Sequence, residues 1–491
     1  MAYADARALP GPARDPVFPL TVATTGAALV AAMLLAVGPV PALLLMALLG
    51  TLLFVTAQPR AGFYLVAFLA IAATASMPLG QQLRLNDTYP AYGMYLTPLE
   101  LVLSFTVLGL VIRLVFDDTV PLRVGPLFLP ISVLMFTVLM GIGIGLMHGG
   151  NLQAMRAETR GLFYLPAMSL LATHFLRTRA DVRRLATWFV IAVNIMAAFA
   201  IYHYYTQVRG ELGAVRQDLA FPHEDALFCA AGIILVLARI VWSRNGLAEL
   251  RSAPLLVLPT FALFVMRRRA GIVALDAGLV LLCVVLVRDN FRLFLIAVPI
   301  AILGLGMMLA LTWNDPGGLG QPARSFRAIT GTDDKVSARD NSSDSYRMKE
   351  TINLQINIRN QPLTGLGFGR PYTFYVPMPD LSFWPLWHYT SHNSVFWLWM
   401  KAGVLAFIAL LSLFAAAMMR SMQMMARLRS DSLKPVAFAL GAMVLMFVMF
   451  AYVDLGLGTA RALLFFGTVL GVIGALDALV PGTARTPGAA P

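Results

Sequence analysis

The chain has 491 residues, of which 59% are hydrophobic and only 13% are charged. About a quarter of the residues of a soluble globular protein are charged, so this composition excludes an ordinary soluble domain and makes lipid the main solvent. The net charge of +12 is spread over short segments between apolar runs, which argues against a nucleic-acid-binding protein. Both cysteines, Cys229 and Cys283, lie inside apolar runs, so neither a disulfide framework nor a thiolate metal site is predicted.

Apolar runs of about 17 to 22 residues recur along the chain, and each is long enough to cross about 30 Å of hydrocarbon as an α-helix. About fourteen runs can be counted, and because one is short and two are poorly separated, about 12 to 14 transmembrane helices are expected. The first run is predicted to be a retained helix and not a cleaved signal peptide. The predicted spans are 20–38, 40–57, 62–79, 97–116, 126–147, 161–176, 186–205, 224–242, 253–266, 271–287, 293–312, 393–418, 435–453 and 461–480.

The distribution of Lys and Arg predicts the orientation of these helices. The arginines of segment 177–184 and the basic residues of segment 420–434 are the best cytoplasmic markers. An even number of predicted spans separates the two segments, so both fall on the same side of the membrane. Both termini are therefore expected in the cytoplasm. The segments 206–223, 267–270 and 313–391 are expected on the outer side.

The expected fold is an all-α integral membrane protein with one large outer loop. Residues 1–312 are predicted to form an N-terminal transmembrane bundle of about eleven helices. Residues 313–391 form the loop, residues 392–480 form about three further transmembrane helices, and residues 481–491 form a disordered tail.

The outer loop contains a predicted amphipathic helix over 344–360. Met348, Ile352 and Ile356 recur every four residues, so this helix is expected to lie on the membrane or on the protein. Pro362 stops it. The following GLGFG sequence lacks the preceding strand and following helix of a dinucleotide-binding loop, and it is interpreted as a tight turn.

Three adjacent cations, Arg267, Arg268 and Arg269, fall on the outer side against the usual bias. They are either a solvated stop signal at the lipid headgroups or an anion site for a polyanionic substrate. Asp276 lies inside the following run and is the clearest intramembrane charge. Such a residue is either functional or paired with a cation, for which the arginine triplet is the candidate.

The segment before span 393–418 is rich in aromatic and histidine residues. Its aromatic residues suit either an interfacial belt or a stacking platform for sugar rings. His388 and His392 lie one helical turn apart and suggest a polar cap, a general base or, least favoured, a metal pair. In segment 206–223 and just beyond it, His223 precedes Glu224 and Asp225, which are expected to cap the next helix.

These outer elements, in this order, resemble the O-antigen ligase and O-antigen polymerase family of bacterial envelope glycosyltransferases. Arg216 followed by FPHEDALF takes the place of the family's arginine and "hPN"-like helix start. RRRAG takes the place of its "SRG"-like turn, with Arg269 best aligned and Arg268 next. GLGFG followed by SHNSVFWLWMKAG resembles its "G-x-G" and "HN…G" segment through His392, Asn393 and Gly403. The chain departs from the pattern in having His-Glu-Asp instead of Pro-Asn and in lacking the serine before the arginine.

The resemblance implies a GT-C-like fold and a metal-independent, inverting transfer of a glycan from undecaprenyl diphosphate to an acceptor hydroxyl. The site would lie at the periplasmic face of a bacterial inner membrane, without a cofactor. His392 would be the general base, and Arg216, Arg268 and Arg269 would bind the diphosphate. The residues expected to support the site are Asn393, His388, Arg267, Asp276 and His223.

The implied partners are a lipid-linked glycan donor, a lipid or glycan acceptor, membrane lipid and other envelope polysaccharide assembly proteins, but no nucleic acid. Ligase and polymerase activities remain open, because both use the same donor. Two other classes remain as alternatives: a transporter or flippase of a lipid-linked or anionic substrate, and a structural partner in an envelope assembly. A transporter is expected to show internal repeats and mid-membrane helix breaks, and no repeat is visible in the sequence.

Overall fold

The computed structural model describes residues 39–74, 96–117, 121–208, 221–242, 246–266, 268–315, 320, 323, 326–327, 338–382, 385–428 and 432–480. Over these residues the protein is an all-α integral membrane protein. Its α-helices are α1 (Pro39–Ala57), α2 (Pro59–Ala72), α3 (Pro98–Phe116), α4 (Phe128–Met147), α5 (Leu152–Phe175), α6 (Arg179–His203), α7 (His223–Val241), α8 (Val257–Met266), α9 (Arg269–Asp289), α10 (Phe291–Leu311), α11 (Ala338–Asn360), α12 (Ser394–Arg427), α13 (Lys434–Val453) and α14 (Ala460–Leu479). A π-helical turn, Tyr204–Val208, extends α6, and a 3₁₀ segment, Gly246–Leu256, precedes α8.

The predicted fold class is confirmed. Eight of the described helices (α3, α4, α6, α9, α10, α12, α13 and α14) are long and apolar enough to cross a membrane. Every predicted span from 40–57 onward overlaps a described helix, whereas span 20–38, residues 75–79 and the tail 481–491 lie outside the described residues. Helix α5 begins earlier than predicted because the Asn151 side chain accepts a hydrogen bond from Ala154 N at its N-terminus (2.9 Å).

Close contact between backbones builds the centre of the bundle. Helix α14 lies along α5, and a Cβ at Gly467 would stand 2.5 Å from the Leu165 carbonyl oxygen. A Cβ at Gly471 would stand 2.5 Å from the carbonyl oxygen of Ser169. Small residues allow this approach, which supplies van der Waals packing where lipid removes the hydrophobic drive between helices. Helices α13 and α14 are mostly enclosed as a result, whereas α10 lies at the periphery.

A buried ion cluster joins three helices at one end of the bundle. Arg461, in the first turn of α14, contacts Glu224 at 3.3 Å and Asp225 at 2.6 Å. Its guanidinium also donates to two carbonyl oxygens of α2, and Thr74 donates to Asp225 (2.5 Å). Glu224 and Asp225 were predicted to cap α7, but its N-cap is Pro222, without a side-chain cap. Removal of Arg461 would leave two buried carboxylates without their cation and would lower the free energy of unfolding by about 3–5 kcal/mol.

Helix α11 lies on the protein, as one of the two sequence interpretations expected, but with a different face inward. Met348 of the predicted apolar stripe is 68% exposed. The buried face instead carries Glu350, Asn353 and Asn357. Asn353 and Asn357 both accept from and donate to the backbone of the segment 373–376 that follows the turn. Burial of an amide is tolerated when its hydrogen bonds are made in this way, so these polar side chains lie on the inner face beside the buried Leu354 and Ile358.

The GLGFG segment is a structural turn, as predicted. Gly365, Gly367 and Gly369 all have positive φ, and a Cβ at Gly367 would stand 2.4 Å from Gly145 N of α4. The turn fills a break in α12 at Gly403, whose φ of 81° is not helical. Leu366 N and the following amide donate to the carbonyl oxygens of residues 400 and 401, at 2.7 and 2.9 Å. The carbonyls freed by the break are thereby satisfied.

A buried ion pair fastens this junction. Lys401 Nζ of α12 lies 2.8 Å from Glu158 Oε1 of α5, and both side chains are fully buried. Gly369 N donates to the other oxygen of Glu158 (2.5 Å), and Lys401 donates to the Arg370 carbonyl oxygen (2.5 Å). The segment of the outer loop around residues 369 and 370 is therefore attached to both α5 and α12.

Candidate functional site

His392 stands immediately before α12 and is held by a carboxylate of α11. Its Nδ1 lies 3.2 Å from Glu350 Oε2, and its backbone N–H donates to the same oxygen (3.1 Å). Glu350 is buried on the inner face of α11. An Nδ1–H donated to the carboxylate fixes the tautomer in which Nε2 carries the lone pair, so Nε2 is the atom available to accept a proton.

A second histidine–carboxylate pair lies beside the first. His223, the first residue of α7, places Nδ1 2.8 Å from Asp454 Oδ2. Asp454 directly follows α13 and is 1% exposed; its backbone carbonyl accepts from Ser394 Oγ (2.8 Å). The rings of His223 and His392 have centroids 6.2 Å apart and meet edge to face. The N-termini of α7 and α12 and the C-terminus of α13 thus bring two imidazoles together.

Arginines border this pair of imidazoles. Arg268, just before α9, donates from Nη2 to the Phe221 carbonyl oxygen (2.5 Å) and interacts electrostatically with Asp454 and Glu224. Arg347 of α11 interacts electrostatically with both His392 and Asp454. Arg269 points elsewhere and makes a bidentate contact with Asp344 of α11 at 3.0 and 3.1 Å. The described cations at the imidazoles are therefore Arg268 and Arg347.

The carboxylates of Glu350 and Asp454 both favour the protonated form of the imidazole beside them. Burial opposes the protonation of His392, but the Glu350 carboxylate outweighs it, with a further contribution from Asp454, so the pKa of His392 lies above its ordinary value. Burial alone would raise the pKa of the Asp454 carboxyl, yet His223 and, at longer range, His392 and Arg347 keep that pKa below its ordinary value. Asp454 is therefore an anion at neutral pH, and His392 is a stronger base than a solvated histidine.

The other residues singled out in the sequence have varied positions. Asn393 caps α12 through Oδ1, which accepts from Phe396 N (3.0 Å). His388 stacks on Phe374, with centroids 4.6 Å apart, and belongs to the aromatic cluster. Asp276 is exposed on the flank of α9 and has no hydrogen bond or ion pair with any described residue, so the expected pairing is not made with Arg268 or Arg269. Arg216 and Arg267 lie outside the described residues.

A cavity of about 330 Å³ opens next to His392. Its wall is formed by α11, by the start of α12 and by the end of α13. His223 and Arg268 do not line it. The lining residues are Arg347, Met348, Glu350, Thr351, Ile352, Gln355, His392, Asn393, Tyr452 and Val453.

Sequence reasoning missed Glu350, Arg347 and Asp454. Glu350 and Arg347 lie within the predicted amphipathic helix, but nothing in the local pattern links them to a histidine more than 40 residues away. Asp454 could have been singled out from the sequence, because it is an isolated charge between two apolar spans. Counting the predicted spans places that short connection on the same side of the membrane as the other outer segments.

Comparison with known families finds one match, which includes most of these site residues. Residues 254–411 match the family model described as O-antigen ligase. Over this range the chain is similar to O-antigen ligases. The resemblance predicted from the sequence is thereby confirmed. None of the curated proteins matches it.

The matched range contains Arg268, Arg269, Glu350 and His392, whereas His223 and Asp454 lie outside it. It also contains the turn at GLGFG and the break at Gly403. Together with the apolar helices, this match indicates a multi-pass membrane protein.

Proposed function

We propose that the protein transfers a glycan from undecaprenyl diphosphate to an acceptor hydroxyl, with His392 as general base. The carrying observation is the His392–Glu350 pair, which leaves Nε2 as a proton acceptor at the mouth of a cavity. A carboxylate that holds one ring nitrogen and raises the basicity of the other is a recurring arrangement in acid–base catalysis.

In the proposed reaction His392 Nε2 takes the proton of the acceptor hydroxyl as its oxygen attacks the anomeric carbon of the donor. A new C–O bond forms with inversion, the bond between that carbon and the phosphate oxygen breaks, and undecaprenyl diphosphate leaves with the electron pair. Charge develops on the leaving diphosphate and needs cations. Arg268, with Arg216 and Arg269 as further candidates, supplies guanidinium groups that bind phosphate oxygens in bidentate fashion. No metal or cofactor takes part in the proposed scheme.

His223 and Asp454 complete the proposed site. Asp454 holds Nδ1 of His223, so the other ring nitrogen can donate to a phosphate oxygen once the negative charge of the diphosphate has raised the pKa of the ring and the ring has taken a proton from water. Asn393 supports the site by capping α12 and so fixing the residue before it.

The proposed location of the site is the periplasmic face of a bacterial inner membrane, with both termini in the cytoplasm. The site residues lie at one end of the bundle, where α7, α9, α12 and α14 begin. Segments 177–184 and 420–434, rich in arginine, mark the opposite end, where Lys434 and Asp289 form an ion pair (2.8 Å). The positive-inside rule assigns that second end to the cytoplasm.

The test is glycan transfer in membranes supplied with the lipid-linked donor. We expect His392→Ala to lower the rate by about 10²–10⁴-fold, the range of a lost general base. Arg268→Ala and Arg216→Ala should weaken donor use, whereas Arg177→Ala, at the other end of the bundle, should not. A wild-type rate in the His392 variant would remove it as the base. Equal losses in all three arginine variants would argue against a localised diphosphate site.

A deletion strain distinguishes the two activities of the class. Single glycan repeats on the acceptor would indicate a lost polymerase. Bare acceptor, with polymer retained on the lipid carrier, would indicate a lost ligase.

A further inference from the structure

We propose that the cavity beside His392, walled by α11 and by Tyr452, is the subsite for the acceptor, and that the acceptor presents a saccharide end there. This inference rests on the proposed function and adds to it where the second substrate binds. The cavity volume of about 330 Å³ falls within the range of small-molecule sites.

The position of the cavity relative to the base favours the acceptor over the donor. His392 and Arg347 line the cavity, whereas His223 and Arg268, the cation assigned to the diphosphate, stand apart from it. In an inverting transfer the base and the attacking hydroxyl lie on the opposite side of the anomeric carbon from the leaving group. A diphosphate held near Arg268 therefore leaves the cavity side of His392 for the acceptor.

The walls have the chemistry of a sugar site. Tyr452 is 49% exposed, and its ring is steadied by an edge-to-face contact with Phe396, with centroids 6.0 Å apart. A fixed aromatic ring of this kind offers a flat apolar face with a polar tip, which suits the C–H face and the hydroxyls of a pyranose.

Hydrogen-bonding groups also line the cavity. Thr351 and Gln355 lie one turn apart on α11, and neither side chain is hydrogen-bonded to another described residue. A carboxamide and a hydroxyl both donate and accept, as recognition of sugar hydroxyls requires. Glu350, by contrast, is committed to His392.

The experiment uses the full-length protein in nanodiscs with two assays on the same preparation. The first is transfer from lipid-linked donor to the delipidated glycan of the same envelope as acceptor. The second is hydrolysis of the donor by water without acceptor. We expect Tyr452→Ala and Gln355→Ala to raise the acceptor KM by about tenfold or more, while the donor KM and the hydrolysis rate stay within about twofold.

A blocking variant sharpens the test. Gln355→Trp should fill the cavity and abolish transfer while retaining hydrolysis. Arg359→Trp, one turn further along α11 on its exposed surface and outside the cavity, is the matched control and should transfer normally. Thermal unfolding equal to that of wild type shows that the blocked variant is folded.

The outcomes separate the two proposals. Absence of transfer by the wild-type protein would overturn the proposed function itself. Transfer by wild type together with an unchanged acceptor KM in Tyr452→Ala and Gln355→Trp would overturn the acceptor subsite alone. A raised donor KM or lost hydrolysis in folded Gln355→Trp would assign the cavity to the donor and also overturn it.

Discussion

The imidazole rings of His223 and His392 meet edge to face with their centroids 6.2 Å apart, and each ring has a carboxylate at Nδ1. The two rings come from different helices and use different acids, Asp454 and Glu350. Neighbouring imidazolium charges repel each other, so protonation of one ring disfavours protonation of the other. The pair therefore titrates as a coupled unit.

Replacement of Glu350 should move the pH dependence of transfer. His392 must be neutral to accept a proton, so activity falls as the pH drops through its pKa, which Glu350 raises. In Glu350→Gln that pKa falls, and the acid limb of the rate profile should shift to lower pH, with a lower plateau because the ring is a weaker base. Rates measured from pH 5 to 9 test this.

The control is Asp380→Asn, which removes an exposed carboxylate of the same loop and should keep the wild-type profile. An unshifted acid limb in Glu350→Gln would exclude Glu350 as the partner of the base.

His223 and Asp454 should behave as one functional unit. Each of His223→Gln and Asp454→Asn removes the same contact, so each is expected to lower the transfer rate by roughly 10–100-fold at neutral pH. The double variant should be little worse than Asp454→Asn alone, because the His223–Asp454 contact is already lost in that single variant. The measurement is a double-mutant cycle on kcat and donor KM. Fully additive losses would show that the two residues act separately.

The glycine at the break in α12 should be intolerant of any side chain. In Gly403→Ala the new Cβ would stand 2.1 Å from the Leu363 carbonyl oxygen at a φ of 81°. Backbone strain at such a position costs about 1–3 kcal/mol before the clash is counted. We expect a clearly lower melting temperature in detergent. Gly304→Ala, in α10 with nothing within 4 Å of its Cβ, should melt like wild type; equal stability of both variants would contradict the described break.

Thiol labelling in intact cells should report the orientation. Both native cysteines lie in helices, Cys229 buried and Cys283 half-buried, so the background is expected to be low. Asp380→Cys in the outer loop should react with an impermeant maleimide, and Arg183→Cys at the start of α6 should react only after the cells are opened. The reverse pattern would invert the topology.

The fold was predictable because its dominant signal is local. An apolar run bounded by charges specifies a membrane helix without knowledge of its neighbours, and the described helices follow the predicted spans closely. The face that α11 buries was not predictable in the same way. Its Met348 stripe is the more apolar one, but Asn353 and Asn357 find backbone partners that only the folded loop provides.

Part of the candidate site was likewise visible in the sequence. His392 and the arginines at the start of α9 stand in recognisable short motifs, and counting the predicted spans places them on the same side of the membrane. Glu350 and Asp454 could not be assigned to their histidines, because each pairing depends on how three helix ends are packed and leaves no pattern of fixed spacing. The sequence therefore reveals the base but not the acids that orient it.

The break at Gly403 divides α12 into a short segment before it and a long segment after it. Residues 394–401 are fastened to the outer loop through the carbonyls at 400 and 401 and through the Lys401–Glu158 ion pair. Residues beyond Gly403 form the long membrane section. Membrane helices tilt when bilayer thickness changes. We expect a change of tilt in that section to be absorbed at Gly403, so that the contact between His392 and Glu350 should depend little on bilayer thickness.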